Sequence, residues 1–480
     1  MSVAAPDPNR WKALGIICAA IFVVVLDIAI VNVALPSIGR DLGFEDENLQ
    51  WVITAYALTY GGFLLLGGRA ADLLGRRAVF MGGMALFTIA SLACGLSQNE
   101  AMLIAARAVQ GLGAAIVSPA ALSIISVTFT EGSERNKALG AWGAVAGSGA
   151  AAGVLFGGIL TKYLGWEWIF FVNIPVGAIV LALTLRYVRE SRRRDIKHEY
   201  DVIGALSVTT GLVLLVYAIS EAPDVGWATF RTIGLLVLSG LLLAFFLVWE
   251  AREREPLMPL GIFRNPMLSA ANAVGFLQTG GMFGSFLLLT FYMQQVLGLS
   301  VLQTGMAFLA TAGTAVVMAA PAQALVTRFG VKPVAIIGMA LLALGALWYT
   351  QIDVDGSYSV DLLPGFLAVG IGLPFSYIPI TIAALAGVPE HQAGLASGLL
   401  NTSQQIGGAI GLAVISTVAF EHFENLVQEG NPPPVALTEG FQWGFWVNFG
   451  IWAAALLAAI VFIRQVRVPA AEEAPAPLPG

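Results

Sequence analysis

Charge is scarce in this sequence. Only 11% of its 480 residues are Asp, Glu, Lys or Arg, whereas a soluble globular protein carries roughly a quarter. Hydrophobic residues make up 58% of the chain. Most of such a surface must meet lipid rather than water, so the composition predicts a polytopic membrane protein.

Cysteine and histidine are nearly absent. Cys18 and Cys94 both lie in apolar runs, which excludes a disulfide framework and a cysteine metal site. The histidines, His198, His391 and His422, fall in predicted loops, and no intramembrane catalytic or metal-ligand set accompanies them. A Walker-type nucleotide motif is also missing. We therefore expect a protein that is not an enzyme, has no cofactor and uses an ion gradient for energy.

Long apolar runs alternate with short polar loops along the chain. Each run reaches the roughly 20 residues that a membrane-spanning helix needs, and the first is too long for a cleavable signal. The sequence predicts fourteen spanning helices, at about 12–35, 50–68, 78–97, 101–128, 137–161, 168–186, 202–219, 231–249, 267–296, 303–327, 333–350, 362–386, 394–419 and 443–464.

The basic residues give an independent test of this topology. With the N-terminus inside the cell, only Arg40, Lys162 and Arg231 of the 24 lysines and arginines face outward, and Arg107 lies within the membrane. Cytoplasmic loops collect Lys and Arg. The pattern predicts a multi-pass protein of the cytoplasmic (inner) membrane with both termini in the cytoplasm.

The longest basic loop, Arg186–Asp201, separates six helices from the rest of the chain. Two further helices interrupt a six-plus-six arrangement, and Phe420–Gln442, with its run of prolines, is predicted to be a non-helical outer loop. The predicted units are a first six-helix bundle, a basic linker with two inserted helices, a second six-helix bundle and a disordered cytoplasmic tail, at 1–186, 187–265, 266–464 and 465–480.

Asp27 is the one carboxylate that falls at membrane depth, inside the stretch Val23–Pro36. A charge at the centre of a membrane helix costs at least about 2.5 kcal/mol, and such residues usually face a partner or a water-filled cavity. A structural aspartate bonded to a neighbouring helix is the alternative. The sequence favours a functional role.

The fourth helix carries the matching base. Arg107 shares one helical face with Gln110 and Ser118. At 1.5 Å per residue, Asp27 and Arg107 lie roughly 13 and 10 Å from the outer ends of their helices. We expect the two charges to interact, directly or through water, so that motion of one helix against the other changes the proton affinity of Asp27.

A charged loop follows the second helix. Gly75 permits a tight turn, and Asp72 can pair with basic groups or with a helix N-terminus. The residues of interest in this loop are Gly68, Asp72, Gly75, Arg76 and Arg77.

Together these motifs resemble the fourteen-helix drug:proton antiporter branch of the major facilitator superfamily. The family patterns LDxxxVNVALP, GxxxDxxGRR and RxxQGxGAA are matched around Asp27, Asp72 and Arg107. Further similarity runs through Trp168–Gly177, Tyr292–Gly305 and Gly394–Gly411, and the resemblance spans essentially residues 12–464.

The resemblance implies two six-helix bundles around a central cavity, with alternating access to its two sides. It assigns proton coupling to Asp27 and Arg107 and a cytoplasmic latch to the loop that contains Asp72 and Arg76. The inserted helices are expected to pack outside the cavity. The implied function is export of amphipathic drugs or toxic organic compounds in exchange for protons, by a monomer in the lipid bilayer without a nucleic-acid partner.

Two features depart from the family pattern. The fifth helix has Gly153-Val154 where these antiporters usually have Gly-Pro, although its glycines still permit close helix packing. The relevant glycines are Gly149, Gly153, Gly157 and Gly158. The tenth helix lacks the carboxylate that exporters of divalent cationic drugs carry, which favours neutral, zwitterionic or singly charged substrates.

Polar and aromatic residues at membrane depth are the candidates for the substrate cavity, although aromatic residues more often pack or face lipid. The candidates are Asn32, Gln110, Ser118, Gln278, Phe283, Phe286, Tyr292, Gln295, Phe375, Tyr377, Asn401 and Gln404. A channel is disfavoured because no polar pore lining appears. The remaining alternatives are a dedicated exporter of one endogenous metabolite or lipid and an importer on the same scaffold.

Overall fold

A computed structural model of the chain describes residues 8–44, 49, 51–129, 133–191, 201–253, 256–389 and 392–465. The predicted tail beyond Gln465 and most of the basic linker, residues 192–200, lie outside this range, as does the side chain of Val154.

The first bundle is built from the helices before the basic linker. Its helices are α1 (Arg10–Leu42), α2 (Trp51–Leu74), α3 (Arg76–Gly95), α4 (Glu100–Thr128), α5 (Ser133–Tyr163) and α6, which has two pieces, Trp168–Phe171 and Asn173–Tyr187. Pro175 lies just after the break in α6 and has no backbone N–H to continue the first piece. Within this bundle α1 packs on α5, and α4 packs on both α2 and α3.

The second bundle follows the inserted pair. Its helices are α9 (Pro266–Phe291), α10 (Val301–Phe329), α11 (Val331–Tyr349), α12 (Leu363–Leu385), α13 (Ala393–Gln428) and α14 (Pro433–Phe462). One π-helical turn, Tyr292–Val296, follows α9, and another, Tyr358–Leu362, precedes α12. The bundles meet where α2 packs on α13 and where α5 packs on α10 and α12.

The inserted helices, α7 (Val202–Val225) and α8 (Phe230–Glu250), form a hairpin at the side of the molecule. Helix α7 packs on both α2 and α13, whereas α8 packs on α7. The Trp227 indole, between the two helices, donates a hydrogen bond of 3.0 Å to Thr417 of α13. Many large apolar side chains of α8 are exposed, as expected of a helix that faces lipid. The hairpin therefore lies across the seam between the bundles.

Thirteen helices within the described residues are long and apolar enough to cross a membrane. The remaining long helix, α5, has 31 residues and a glycine-rich centre. The all-α membrane fold predicted from the sequence is confirmed, and the order of the helices is consistent with fourteen spans.

The segment Phe420–Gln442 corrects one prediction. Helix α13 continues to Gln428, and α14 begins at Pro433, so only the short connection 429–432 is non-helical. Pro433 and Pro434 occupy the first turn of α14. Proline is well suited to that position, because the N–H that it lacks would have no partner there in any case.

Most basic residues lie at the end of the helices where α1 begins and α2 ends, which we call the basic end. Arg10 of α1 pairs there with Glu134 of α5 at 2.9 Å. Arg76 and Arg77 begin α3 at the same end.

Candidate functional site

Asp27 and Arg107 form a buried salt bridge in the first bundle. Arg107 Nη1 lies 2.6 Å from Asp27 Oδ2, and the two side chains are 1% and 0% exposed. The guanidinium also donates from Nε to the Val52 carbonyl oxygen at 2.9 Å and stacks over the Tyr56 ring at 4.3 Å. The depth comparison made from the sequence placed these charges correctly, and the interaction is direct.

Two amide side chains complete the surroundings of Asp27. Gln110 Nε2 and Asn173 Nδ2 both donate to Asp27 Oδ1, at 2.8 and 2.9 Å. The Ser91 hydroxyl oxygen accepts from the same two amides, at 2.7 and 3.3 Å. Four helices thus contribute to one hydrogen-bonded group: α4 and α6 donate directly to the carboxylate of α1, and α3 joins through the two amides. We call Asp27, Arg107, Gln110, Asn173 and Ser91 the carboxylate cluster.

Spacing along α4 explains part of this geometry. Arg107 and Gln110 are three residues apart, so they lie on the same face of the helix. Arg107 Nη1 also donates to Gln110 Oε1 at 2.6 Å, which orients the amide so that its nitrogen points at Asp27. A fully desolvated charge pair is costly unless its remaining hydrogen-bonding groups have partners. The hydrogen bonds of Asp27 and Arg107 to the neighbouring amides and to the Val52 carbonyl provide those partners.

The glycines of α5 lie directly behind Asp27. A Cβ added at Gly153 would lie 2.7 Å from Ala29 Cβ and 2.8 Å from the Leu26 carbonyl oxygen, both on α1. Similar contacts with α1 surround Gly149 and Gly157, and Gly158 is partly buried. The glycines therefore allow α5 and α1 to approach closely without a proline at the following position.

The loop predicted to be a latch joins the two bundles at the basic end. Asp72 Oδ1 accepts from the Gly394 backbone N–H at 3.1 Å, and Oδ2 accepts from Leu395 N–H at 2.9 Å. These N–H groups belong to the first turn of α13, where an anion is stabilised by the helix dipole. Gly68 of α2 lies against the Gly394 carbonyl, so a side chain there would separate the helices.

Basic residues hold the latch in place. Arg76 Nη2 lies 3.1 Å from Asp72 Oδ1, and Arg76 Nε donates to the Ser123 hydroxyl at 2.7 Å. Arg77 donates through Nη1 to the Val188 carbonyl at 3.3 Å. Gly75 has a φ of 108°, which allows the chain to turn sharply from α2 into α3.

The polar candidates of the second bundle are neutral and buried. Gln278 Nε2 donates to Ser376 Oγ at 2.6 Å, whereas Gln278 Oε1 has no hydrogen-bond partner among the described residues. Gln404 is buried beside Gly275, and its Nε2 is likewise without a partner there. Asn401 donates to the Ser397 carbonyl within its own helix at 2.9 Å. Gln278 and Gln404 thus keep an unused acceptor and an unused donor.

The aromatic candidates of α9 pack on two different partners. Phe286 is 41% exposed and stacks on Phe308 of α10 with 4.6 Å between ring centroids. Phe283 packs against Gly408 of α13. Phe286 is therefore the more accessible of the two.

The aromatic candidates of α12 lie near its contacts with other helices. Tyr377 stacks on Trp142 of α5 at 5.6 Å, which adds a contact between the bundles. Phe375 is buried against Gly338 of α11. In this conformation neither residue is a freely accessible cavity residue.

Three of the cavity candidates make other contacts or lie elsewhere in this conformation. Tyr292 is fully buried and donates from its hydroxyl to the Asp353 carbonyl at 2.6 Å, in the connection before α12. Gln295 is exposed in the π-helical turn at the end of α9. Gln110 belongs to the carboxylate cluster. Position in the sequence could not show that α9 ends in this turn.

The other two candidates of the first bundle lie apart from the carboxylate cluster. Asn32 is exposed and donates to the Ile28 carbonyl one turn earlier in α1, at 2.9 Å. The buried Ser118 hydroxyl accepts from the Tyr60 hydroxyl at 3.1 Å.

Sequence reasoning missed Asn173, Ser91 and Tyr56. Asn173 is the one amide within Trp168–Gly177, and Ser91 lies in an otherwise apolar part of α3. A polar residue surrounded by apolar ones is a weak signal, because serine often bonds only to its own helix. Such a residue can be assigned to the carboxylate cluster only when the rotation of its helix about the helix axis is known.

Comparison with known proteins gives a consistent result. The family model described as Major Facilitator Superfamily matches residues 17–412. The chain is 41% identical over 476 residues to the puromycin resistance protein pur8 of Streptomyces alboniger, which covers 98% of this chain and 94% of that protein. It is 39% identical over 410 residues to the cephamycin export protein CmcT of Amycolatopsis lactamdurans, which covers 85% of this chain and 84% of that one.

Solved structures show the same fold. The human organic anion transporter MFSD10 superposes with a TM-score of 0.67 at 16% identity, covering 94% of this chain and all of that one. The proton:xylose symporter XylE gives a TM-score of 0.67 at 14% identity, covering 96% and 97%.

Proposed function

Because this chain belongs to the major facilitator superfamily, we propose that it is a secondary active transporter that exports amphipathic drugs or toxic organic compounds in exchange for protons. The relatives above carry names of antibiotic resistance and export proteins, which supports a drug exporter. The source of energy would be the proton gradient.

The observation that carries the proton-coupling proposal is the carboxylate cluster. Asp27 is fully buried in a membrane helix and has one charged partner, Arg107. Such intramembrane charges mark proton relays in transporters. If Arg107 moves away during transport, the carboxylate loses its counter-charge and takes up a proton more readily. If the pair reforms, the proton is released.

The latch supports alternating access between the two bundles. Asp72 holds the first turn of α13 from the end of α2, so rocking of one bundle against the other must break these bonds. The structure is closed at this seam. Opening at the basic end would expose a path between the bundles to that side of the membrane.

The neutral groups of the second bundle bear on the substrate. The membrane part of α10 carries no carboxylate, and Gln278 and Gln404 offer one unused acceptor and one unused donor. A neutral or singly charged amphipathic compound with a few polar groups fits such a lining. We propose that both termini are cytoplasmic, that the protein lies in the inner membrane and that it works as a monomer.

A dedicated exporter of one endogenous compound is the second candidate. Relatives named for a single antibiotic, such as the cephamycin export protein, favour it. Inhibition of transport by a broad panel of unrelated amphipathic compounds would distinguish a multidrug exporter from a dedicated one.

Proton release on substrate binding tests the central proposal. Puromycin and tetraphenylphosphonium are added to weakly buffered, purified protein, and the pH change is compared between wild type and Asp27→Asn. We expect proton release from wild type with at least one compound and none from the variant while it still binds. Equal release from both proteins would show that Asp27 is structural.

A further inference from the structure

Asn173 differs from the other amide that contacts Asp27. Gln110 uses both of its ends, because Nε2 donates to Asp27 and Ser91 while Oε1 accepts from Arg107 and from the Cys94 thiol. Asn173 uses only its nitrogen, which donates to Asp27 and Ser91. Asn173 Oδ1 is buried and has no hydrogen-bond partner among the described residues. A buried carbonyl oxygen without a donor is unusual.

The unused oxygen matters when Asp27 gains a proton. An ionised carboxylate only accepts hydrogen bonds, whereas a neutral carboxyl also has an O–H that must find an acceptor. Gln110 Oε1 already has two donors. The terminal amide torsion of asparagine is soft, so a half-turn would place Asn173 Oδ1 where Nδ2 now lies, 2.9 Å from Asp27 Oδ1.

We propose that Asn173 is a positioning residue for Asp27 that serves both of its protonation states. Its amide nitrogen donates to the ionised carboxylate, and after a half-turn its oxygen accepts the proton of the neutral carboxyl. The proton itself stays on Asp27, and the amide changes only its orientation. This inference rests on the proposed role of Asp27 as the exchange site.

Other charged and titratable side chains among the described residues also face Asp27. The charged and titratable side chains that face it are Arg107 of α4, Tyr56 of α2 and Cys94 of α3. The membrane parts of α5 and α6, residues 138–161 and 168–185, contain no titratable residue. Arg107 supplies the large electrostatic effect, and Asn173 adjusts it.

The pH dependence of exchange tests the proposal. Asn173→Leu keeps the volume but removes both the donor and the acceptor. A hydrogen bond to a charged group is stronger than one to a neutral group. Loss of the donor therefore dominates, and the midpoint of substrate-driven proton release should move upward by about one pH unit or more.

Asn448→Leu is the matched control. Asn448 of α14 is also fully buried, donates to a serine, Ser285, and has an unpartnered Oδ1 among the described residues, but its neighbours lie in the second bundle. Its replacement should reduce stability without moving the pH midpoint. If both variants shift the midpoint equally, the effect is one of general packing and the proposal is wrong.

A second variant covers the case in which Asn173→Leu does not fold. Asn173→Asp keeps the shape, removes the donor and adds a like charge beside Asp27, so the midpoint should move upward by more than in the leucine variant. A wild-type pH profile in a folded Asn173 variant overturns the inference even if Asp27→Asn abolishes proton release. Undiminished release from Asp27→Asn overturns the proposed exchange site itself.

Discussion

The two bundles solve the problem of buried polarity in different ways. The first bundle buries the ion pair of Asp27 and Arg107 and gives both carboxylate oxygens hydrogen-bond donors, although Asn173 Oδ1 and the Tyr56 hydroxyl beside the pair have no partner among the described residues. The second buries only neutral groups at membrane depth, and several of them, including Gln278 and Gln404, keep unused donors or acceptors. An ion pair in a dry interior needs complete satisfaction, whereas an unsatisfied amide is tolerable and leaves a bond for a ligand.

This difference indicates a division of labour between the bundles. In the proposed mechanism, proton exchange takes place in the bundle with the charges, and Gln278 and Gln404 of the second bundle contact a neutral part of the substrate. The latch connects the two bundles directly. Helix α5 also connects them, because it packs on α1 in the first bundle and on α10 and α12 in the second. Substitutions at four positions test this difference between the bundles.

Removal of Arg107 should have the largest effect. Arg107→Leu leaves Asp27 buried without its counter-charge, which costs about 3–5 kcal/mol if the carboxylate stays ionised. We expect a strongly reduced apparent melting temperature in detergent and a loss of proton-coupled transport of about 100-fold or more in proteoliposomes.

The double variant Asp27→Leu/Arg107→Leu separates these two effects. Replacement of a buried pair by apolar residues of similar volume is often neutral for stability. The double variant should therefore regain most of the melting temperature but none of the transport. A single Arg107 variant with wild-type stability and pH profile would contradict the assigned coupling.

Gly153→Ala comes next. The added methyl group would lie 2.7 Å from Ala29 Cβ, and overpacking of this kind costs about 1–3 kcal/mol. The apparent melting temperature should fall, and the pH profile should change because α1 carries Asp27. Gly240→Ala on α8 is the control, since nothing lies within 4 Å of its added methyl group. That variant should be neutral or slightly more stable.

Asp72→Asn should weaken the latch by about 1 kcal/mol, because the interaction of a charge with the first turn of α13 is replaced by a weaker neutral one. Spin labels at Leu74 and Phe329, both exposed near the basic end, would report the distance between the ends of α2 and α10. The population of molecules with a long distance should increase about fivefold. Asp201→Asn serves as control. Asp201 also caps a helix N-terminus, but it does so within the inserted hairpin. An unchanged distance distribution in Asp72→Asn would remove the latch from the mechanism.

Gln404→Leu should have the smallest effect. Its amide nitrogen has no partner in the described structure, so the loss of this group should not reduce stability. We expect the apparent affinity for hydrogen-bonding substrates to fall by about three- to tenfold. The pH midpoint of exchange should stay unchanged. A shifted midpoint would show that proton exchange is not confined to the first bundle.

Hydropathy and residue spacing predicted much of this structure. Apolar runs gave the helices because each must hide its backbone polar groups within itself when it crosses lipid. The pairing of Asp27 with Arg107 followed from the fixed rise of a helix, which sets depth. The approach of α5 to α1 followed from glycines spaced by four residues, although the sequence did not identify α1 as the partner.

Other features could not be predicted in this way. Asn173 was missed because its contact with Asp27 depends on how α6 rotates about its axis, and hydropathy does not fix that rotation. The contact of Tyr292 with Asp353 was not predictable, because it depends on the π-helical turn at the end of α9. Pro433 was assigned to a loop because proline is unfavourable inside a helix yet well suited to its first turn.

Composition and residue spacing are enough to predict that this chain crosses the membrane many times, that its basic residues gather at one end and that one acid and one base lie at matching depths. These are one-dimensional properties, set by composition and by distance along a helix. Helix packing settles which side chains complete the carboxylate cluster, because four helices must first be rotated and packed before Asn173 can donate to Asp27 and to Ser91. The same packing pairs the two membrane charges of the first bundle with each other, whereas Gln278 and Gln404 of the second bundle each keep a polar atom without a partner among the described residues.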